Sequence, residues 1–282
     1  MHRSSPRAER SMANADGYPD GMEATEAFAA LLLRPPEAVP LDEVALLIAA
    51  HAYPDLDIPG ELARLDRMAS HCPAPSLDEL VAYLFGDLGF VGNTRDYFDP
   101  RNSFLNEVLN RRTGIPISLA VLTMAIGDRI GLPLLGVRMP GHFLLRDRDD
   151  PNLFVDPFGG GAVLDPSGCE RAFRAVHGDD ATFDAAFLDP VEAPAIVARM
   201  LANLRATFAS RGNRASLAWV LRLRTLVPGT APEDRAELAS VLAADGQFVA
   251  ASLEFEVLAD QLGGALGAEY HRSAEQLRAR LN

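Results

Sequence analysis

The most regular pattern of apolar positions lies in the middle of the chain. After Thr113-Gly114-Ile115-Pro116, the residues Leu119, Leu122, Ile126 and Ile130 recur at helical spacing. Pro116 suits a first helical turn because its missing N–H would be unpaired there anyway. Gly131 supplies a left-handed C-terminal cap and Pro133 prevents the helix from resuming. Two strand-like runs follow. Residues 136–139 lead through Pro140-Gly141 into 142–146, and residues 152–155 lead into Asp156-Pro157. The charged stretch 147–151 reads as the hairpin turn between them.

Upstream, the periodicity predicts helices over 24–33, 41–52 and 61–70, with Leu41, Val44, Leu47 and Ile48 on one face of the second. Ser76 and Glu79 make a capping-box pattern ahead of Leu80, Leu84 and Phe85. Gly86, Gly89 and Gly92 read as a flexible connection; they lack the Lys and the strand–helix context of a phosphate loop. Asp99 to Ser103 reads as a turn capping a helix over 104–112, and Gly159-Gly160-Gly161 as a tight loop after Asp156.

Downstream, Asp189-Pro190-Val191-Glu192 combines an N-cap, a first-turn Pro and a Glu, predicting a helix through Met200 and Leu204 to Phe208. Thr230 and Glu233 make a second capping box. Gly212-Asn213-Arg214 and Gly246-Gln247-Phe248 lie 34 residues apart, and Leu217/Ala251 and Leu221/Phe255 keep that offset. Thirty-four is the period of tetratricopeptide helix pairs.

The fold class expected is α+β, in four parts. These are a disordered tail over 1–22, a helical N-terminal subdomain over 23–95, a core of one helix and an antiparallel sheet over 96–185, and a tetratricopeptide-like helical array over 186–282.

Composition narrows the function classes. With 48% hydrophobic residues the chain is expected to bury a core, and no apolar run reaches the length of a membrane span. The first residues carry Arg3, Arg7 and Arg10 with no apolar stretch, which is not a secretory leader, and Met12 and Met22 are alternative starts. Cys72 and Cys169 are the two cysteines and suggest no disulfide framework, so a cytoplasmic location is the default. A net charge of −13 argues against binding a phosphate backbone. His51, His71 and His177 show no metal-ligand spacing, and neither metal nor cofactor is expected.

The candidate chemistry lies in His142 and Asp156. A buried helix feeding strands that carry a His and then an Asp is the layout of papain-like and transglutaminase-like catalysis, where an imidazole takes a thiol proton and a carboxylate orients the imidazole. Several short motifs in order strengthen this. Tyr97–Ser103, Gly114–Leu119, Gly131-Leu132-Pro133, Pro140–Leu144 and Val155–Phe158 together resemble the SirB-type bacterial proteins, as does Arg199–Leu204 with Pro228 and Arg235. That resemblance covers roughly 40–280 and implies a transglutaminase-like core with a tetratricopeptide-like tail. The same domain type occurs in a eukaryotic F-box protein.

The resemblance also implies that the enzymes' nucleophile position is occupied here by Pro116, fifteen residues before Gly131. Ser118 is the nearest hydroxyl, but two residues along a helix is about 200° of rotation. Two readings result. One is a non-catalytic protein that binds a protein or peptide partner through its C-terminal helices. The other is a hydrolase or acyl-transferase using Ser118, or a repositioned Cys169, with His142 and Asp156.

Overall fold

The computed structural model describes residues 19–280. The tail expected over 1–22 lies outside them as far as residue 18, and helix α1, Pro19–Leu32, begins before the tail's expected end. Helices α2 (Leu41–Ala50), α3 (Ile58–Ser70) and α4 (Leu77–Val81) follow. Helix α3 starts three residues ahead of expectation because Asp57 Oδ1 accepts the Gly60 N–H at 3.0 Å and caps it. Ser76 Oγ accepts the Glu79 N–H at 3.4 Å at the start of α4, as the capping pattern predicts.

Residues 86–94 are more than a connection. A π-helical turn, Ala82–Asp87, extends α4, and Val91–Gly92 (β1) pairs in parallel with Thr113–Gly114 (β2). Val91 N–H donates to the Arg112 carbonyl and Asn93 N–H to that of Gly114, both at 2.9 Å. Gly92 leaves room for an aromatic ring: a Cβ there would lie 2.6 Å from Phe158 Cδ2.

Between these strands lies α5, Leu105–Arg111, and after them α6, Pro116–Arg129. Every α6 residue from Ile117 to Gly127 is buried, so this helix is a rod through the core, packed by α2, α3 and α5. Gly131 takes a φ of +78° and ends it as expected.

The sheet is antiparallel, in the order β3 (Leu134–Val137), β4 (Leu144–Asp147), β5 (Phe154–Asp156) and β6 (Ala162–Leu164). Strands β3 and β4 also pack on α6. His142 precedes β4 and lies in the turn, its N–H donating to the Met139 carbonyl at 2.9 Å around Gly141 at φ +80°. Strand β6 and helix α7, Pro166–His177, have no counterpart in the sequence reading.

The helix expected from Asp189 begins instead at Ala193, as α8 (Ala193–Ser210). Residues 189–192 are used differently. Val191 N–H donates to the Gly136 carbonyl at 2.8 Å and Pro190 bridges Val137, so the segment pairs with the outer edge of β3.

The chain divides into two compact units, with the boundary within α8 after Met200. The second unit holds the end of α8 with α9 (Arg214–Arg224), α10 (Pro232–Ala244), α11 (Phe248–Leu262) and α12 (Gly264–Ala279). From α9 on, each helix packs on the next. Leu201, Leu204 and Phe208 are all buried, and the Phe208 ring meets Trp219 edge-on at 5.9 Å. The Thr230–Glu233 capping box does not form. Ala231 is the N-cap of α10, and Thr230 Oγ lies 2.7 Å from the carbonyls of both Arg224 and Val227, closing the preceding turn. Among the described residues no helix is long and apolar enough to cross a membrane.

Gly160 and Gly161 give a matched pair for testing this packing. Both have positive φ, +72° and +79°, but a Cβ on Gly160 meets nothing, whereas one on Gly161 lies 2.4 Å from Phe85 Cδ2 and 2.7 Å from Val81 Cγ1. Both alanine substitutions carry a backbone cost of about 1–2 kcal/mol. Gly161→Ala should cost a further ~1–3 kcal/mol for overpacking, read as the difference between the two variants in urea denaturation.

Candidate functional site

The first turn of α6 is built to bury a helix end. Ile115 is the N-cap in extended conformation, and Pro116 removes one of the amides that such a terminus leaves unpaired. Ser118, 1% exposed, handles another: its Oγ accepts the Ile115 N–H at 3.1 Å. The hydroxyl proton goes to the Asn102 carbonyl at 2.6 Å. With Ile115 O also 3.1 Å away, the hydroxyl is surrounded by backbone, and neither His142 nor Asp156 is among its partners.

Asn102 is the hub behind it and is fully buried. Its Nδ2 donates to the carbonyls of Asp96 and Tyr97 at 2.8 and 3.2 Å. Its Oδ1 accepts from Asn93 Nδ2 at 3.0 Å and from Arg111 Nη1 at 3.3 Å. Asp99 starts the same turn, Pro100–Ser103, by accepting the Arg101 N–H at 3.0 Å. Burial pushes the Asp99 carboxyl up, but the guanidiniums of Arg101, at 2.8 Å, and Arg111, at 3.4 Å, hold it below the usual carboxylate range. The sequence reading took this stretch for a simple capping turn. Its role shows only once residues 93–118 fold on one another.

His142 and Asp156 do come together. Nδ1 of the imidazole lies 3.7 Å from Asp156 Oδ2, an ion-pair contact longer than a hydrogen bond. On the other side of the ring, Nε2 lies 3.3 Å from the Ala172 carbonyl in α7. Both neighbours accept protons, so the fully satisfied ring is the imidazolium. Asp156 facing it raises the His142 pKa above the ordinary histidine value, against the opposing effect of burial. For Asp156, burial pushes the carboxyl up. His142 and the amides of Gly159 and Phe158, each 3.0 Å from Oδ1, outweigh burial and leave its pKa lowered.

Cys169 lies one turn before Ala172 in α7, fully buried in a cluster with Val137, Met139, Leu144, Phe154 and Phe173. Burial, and then Asp165 and Asp156, push its thiol up to about 11, which leaves it un-ionised at neutral pH. Around the start of α6, the Phe158 ring lies over Gly92, the residue paired with Gly114, and meets Tyr97 at 6.1 Å. Among the described residues no group of three or more His, Cys, Asp or Glu side chains is placed to hold a metal ion.

The comparisons with known proteins agree with this architecture. The transglutaminase-like superfamily model matches residues 50–202. A UPF0162 protein of Xylella fastidiosa (strain Temecula1) is 42% identical over 187 residues, covering 62% of this chain and 66% of that protein, so the match spans just under two thirds of its relative. A UPF0162 protein of Vibrio cholerae is 32% identical over 214 residues, covering 72% and 77%. Human F-box only protein 21 is 35% identical over 137 residues, covering 45% of this chain and 21% of that protein. No solved structure matches. The chain belongs to the transglutaminase-like superfamily, and within it to the UPF0162 proteins.

Proposed function

We propose that this is a non-catalytic transglutaminase-like protein of the SirB type, which binds a protein or peptide partner through its C-terminal helices. The observation that carries the first half is the pair of acceptors around His142: with Asp156 at Nδ1 and the Ala172 carbonyl at Nε2, neither nitrogen is left to take a proton from a nucleophile. Pro116 stands at the nucleophile position implied by the resemblance. Ser118 spends its hydroxyl on the backbone, and Cys169 is a buried, protonated thiol.

The second half draws support from the C-terminal unit. Helices α9 and α11 begin 34 residues apart, each after a glycine of positive φ, Gly212 and Gly246, which favours tetratricopeptide-like packing. On α11, Val249, Leu253 and Val257 are exposed at successive turns, an apolar stripe of the kind a bound chain covers.

Serine-directed fluorophosphonate and cysteine-directed iodoacetamide probes, applied to the folded protein, should label neither Ser118 nor Cys169. Specific labelling of either would favour the hydrolase or acyl-transferase reading. Affinity capture from the native cell with the wild type and with Leu253→Glu should recover a partner only on the wild type. Equal recovery would remove the stripe from the interface.

The His142–Asp156 contact also has a pH signature. The raised His142 pKa contributes stability that is fully present below the unfolded-state histidine value and is lost as pH rises through the folded value. The lowered Asp156 pKa contributes stability present above the unfolded-state carboxylate value and lost as pH falls through the folded one. The pair is therefore strongest between about pH 4 and pH 6.5. His142→Gln should destabilise by ~1–2 kcal/mol in that window, and thermal melts of variant and wild type should converge towards alkaline pH.

A further inference from the structure

A second concave site lies in the first unit, sharing no lining residue with His142, Asp156, Ser118 or Cys169. It is a pocket of about 510 Å³ bounded by the segment after α1, the C-terminal half of α6, the outer edge of β3 and the start of α8. That volume falls in the range of small-molecule sites. Its lining is mixed: the half-buried Leu41, Leu135 and Val191 give it apolar surface, with Val39, Met124, Leu134 and Ile196 buried behind them.

The rim is charged, and unevenly so. Glu37, Asp128 and Glu192 line it against one guanidinium, that of Arg148. Among the described residues none of the three carboxylates has an ion-pair partner. The neighbouring Arg129 is taken by Asp42 and Asp66, at 2.7 Å each. Asp128 is solvent-exposed by area yet crowded enough that burial, with Asp42 adding to it, holds its carboxyl above the usual range despite Arg148 and Arg129.

The backbone adds a polar handle. Gly136 directs its carbonyl outward to Val191 N–H, and alternation along the strand points the N–H and C=O of Leu134, a residue of the pocket lining, to the same outer edge. Strand β3 begins at Leu134, and beyond Val191 the chain lifts into α8. The open edge is short. It can hold one polar group but is too short to template a strand from another chain.

We propose that this pocket binds a small organic cation, a protonated amine carried on an apolar body. The body would lie against Leu41, Met124 and Val191, with the ammonium facing the unpaired carboxylates.

Calorimetric titration of the full chain with n-hexylammonium, phenethylammonium, hexan-1-ol and hexanoate tests the assignment. The ammonium probes should bind at least about tenfold more tightly than the alcohol, the lower end of what a charge-assisted hydrogen bond contributes, and should shift the Met124 methyl resonance. The exposed Asp128→Asn and Glu192→Gln pair should retain the wild-type melting temperature and lose that tenfold preference. The proposal is overturned if neither ammonium binds up to about 10 mM. Equal or tighter binding of hexanol or hexanoate, binding that leaves Met124 unmoved, or an unchanged preference in the double variant would each overturn it as well.

Discussion

A helix buried on all sides must hide its own ends, and α6 imposes that constraint on everything around it. Eleven consecutive residues, Ile117 to Gly127, are out of solvent, so the unpaired amides at the helix start cannot turn to water. An unpaired buried donor costs about 1–3 kcal/mol. Pro116 removes one donor outright, and Ser118 accepts the Ile115 N–H just ahead of it. The Ser118 proton must then go somewhere, and it goes to Asn102, which the turn from Asp99 holds in place. The polar cluster over residues 93–111 is thus a consequence of burying α6.

The same constraint bears on chemistry. In a nucleophile–base pair, the hydroxyl or thiol must be free to give its proton to an imidazole that is itself free to receive it. The backbone takes the Ser118 proton, and burial in the apolar cluster raises the Cys169 thiol. A general base needs one nitrogen facing the nucleophile and the other facing its orienting group. Here both face acceptors that belong to the scaffold.

Much of the first unit was legible in the sequence because its signals are local. The α6 period, the Gly131 cap, the Ser76 cap and the approach of His142 to Asp156 each depend on a few adjacent residues or on one hairpin. Two of the misreadings share a cause, which is tertiary competition for a backbone group. Asp189 to Glu192 carries every local mark of a helix start, yet the open edge of β3 takes Val191 first. Gly136 permits the close approach, since a Cβ there would lie 2.9 Å from Ile196 Cδ1. Thr230 likewise serves the turn behind it rather than the helix ahead. The Ala172 carbonyl left no mark in the sequence, because any residue supplies one.

If His142 and Asp156 perform no proton transfer, their contact needs another reason to exist, and the geometry supplies one. The Pro140–His142 turn projects beyond the sheet and lies against the C-terminal turn of α7, where a Cβ on Gly141 would be 3.0 Å from Val176 Cγ1. Apolar packing holds the inner face of α7 through Cys169 and Phe173, but packing alone is non-directional. The His142 ring ties three separate elements at one point: the turn that carries it, the end of β5 through Asp156, and α7 through the Ala172 carbonyl. Two protein acceptors on either side of a planar ring also fix its orientation, which a single ion pair would not. His142 and Asp156 thereby hold α7 in a defined direction against the turn and the sheet.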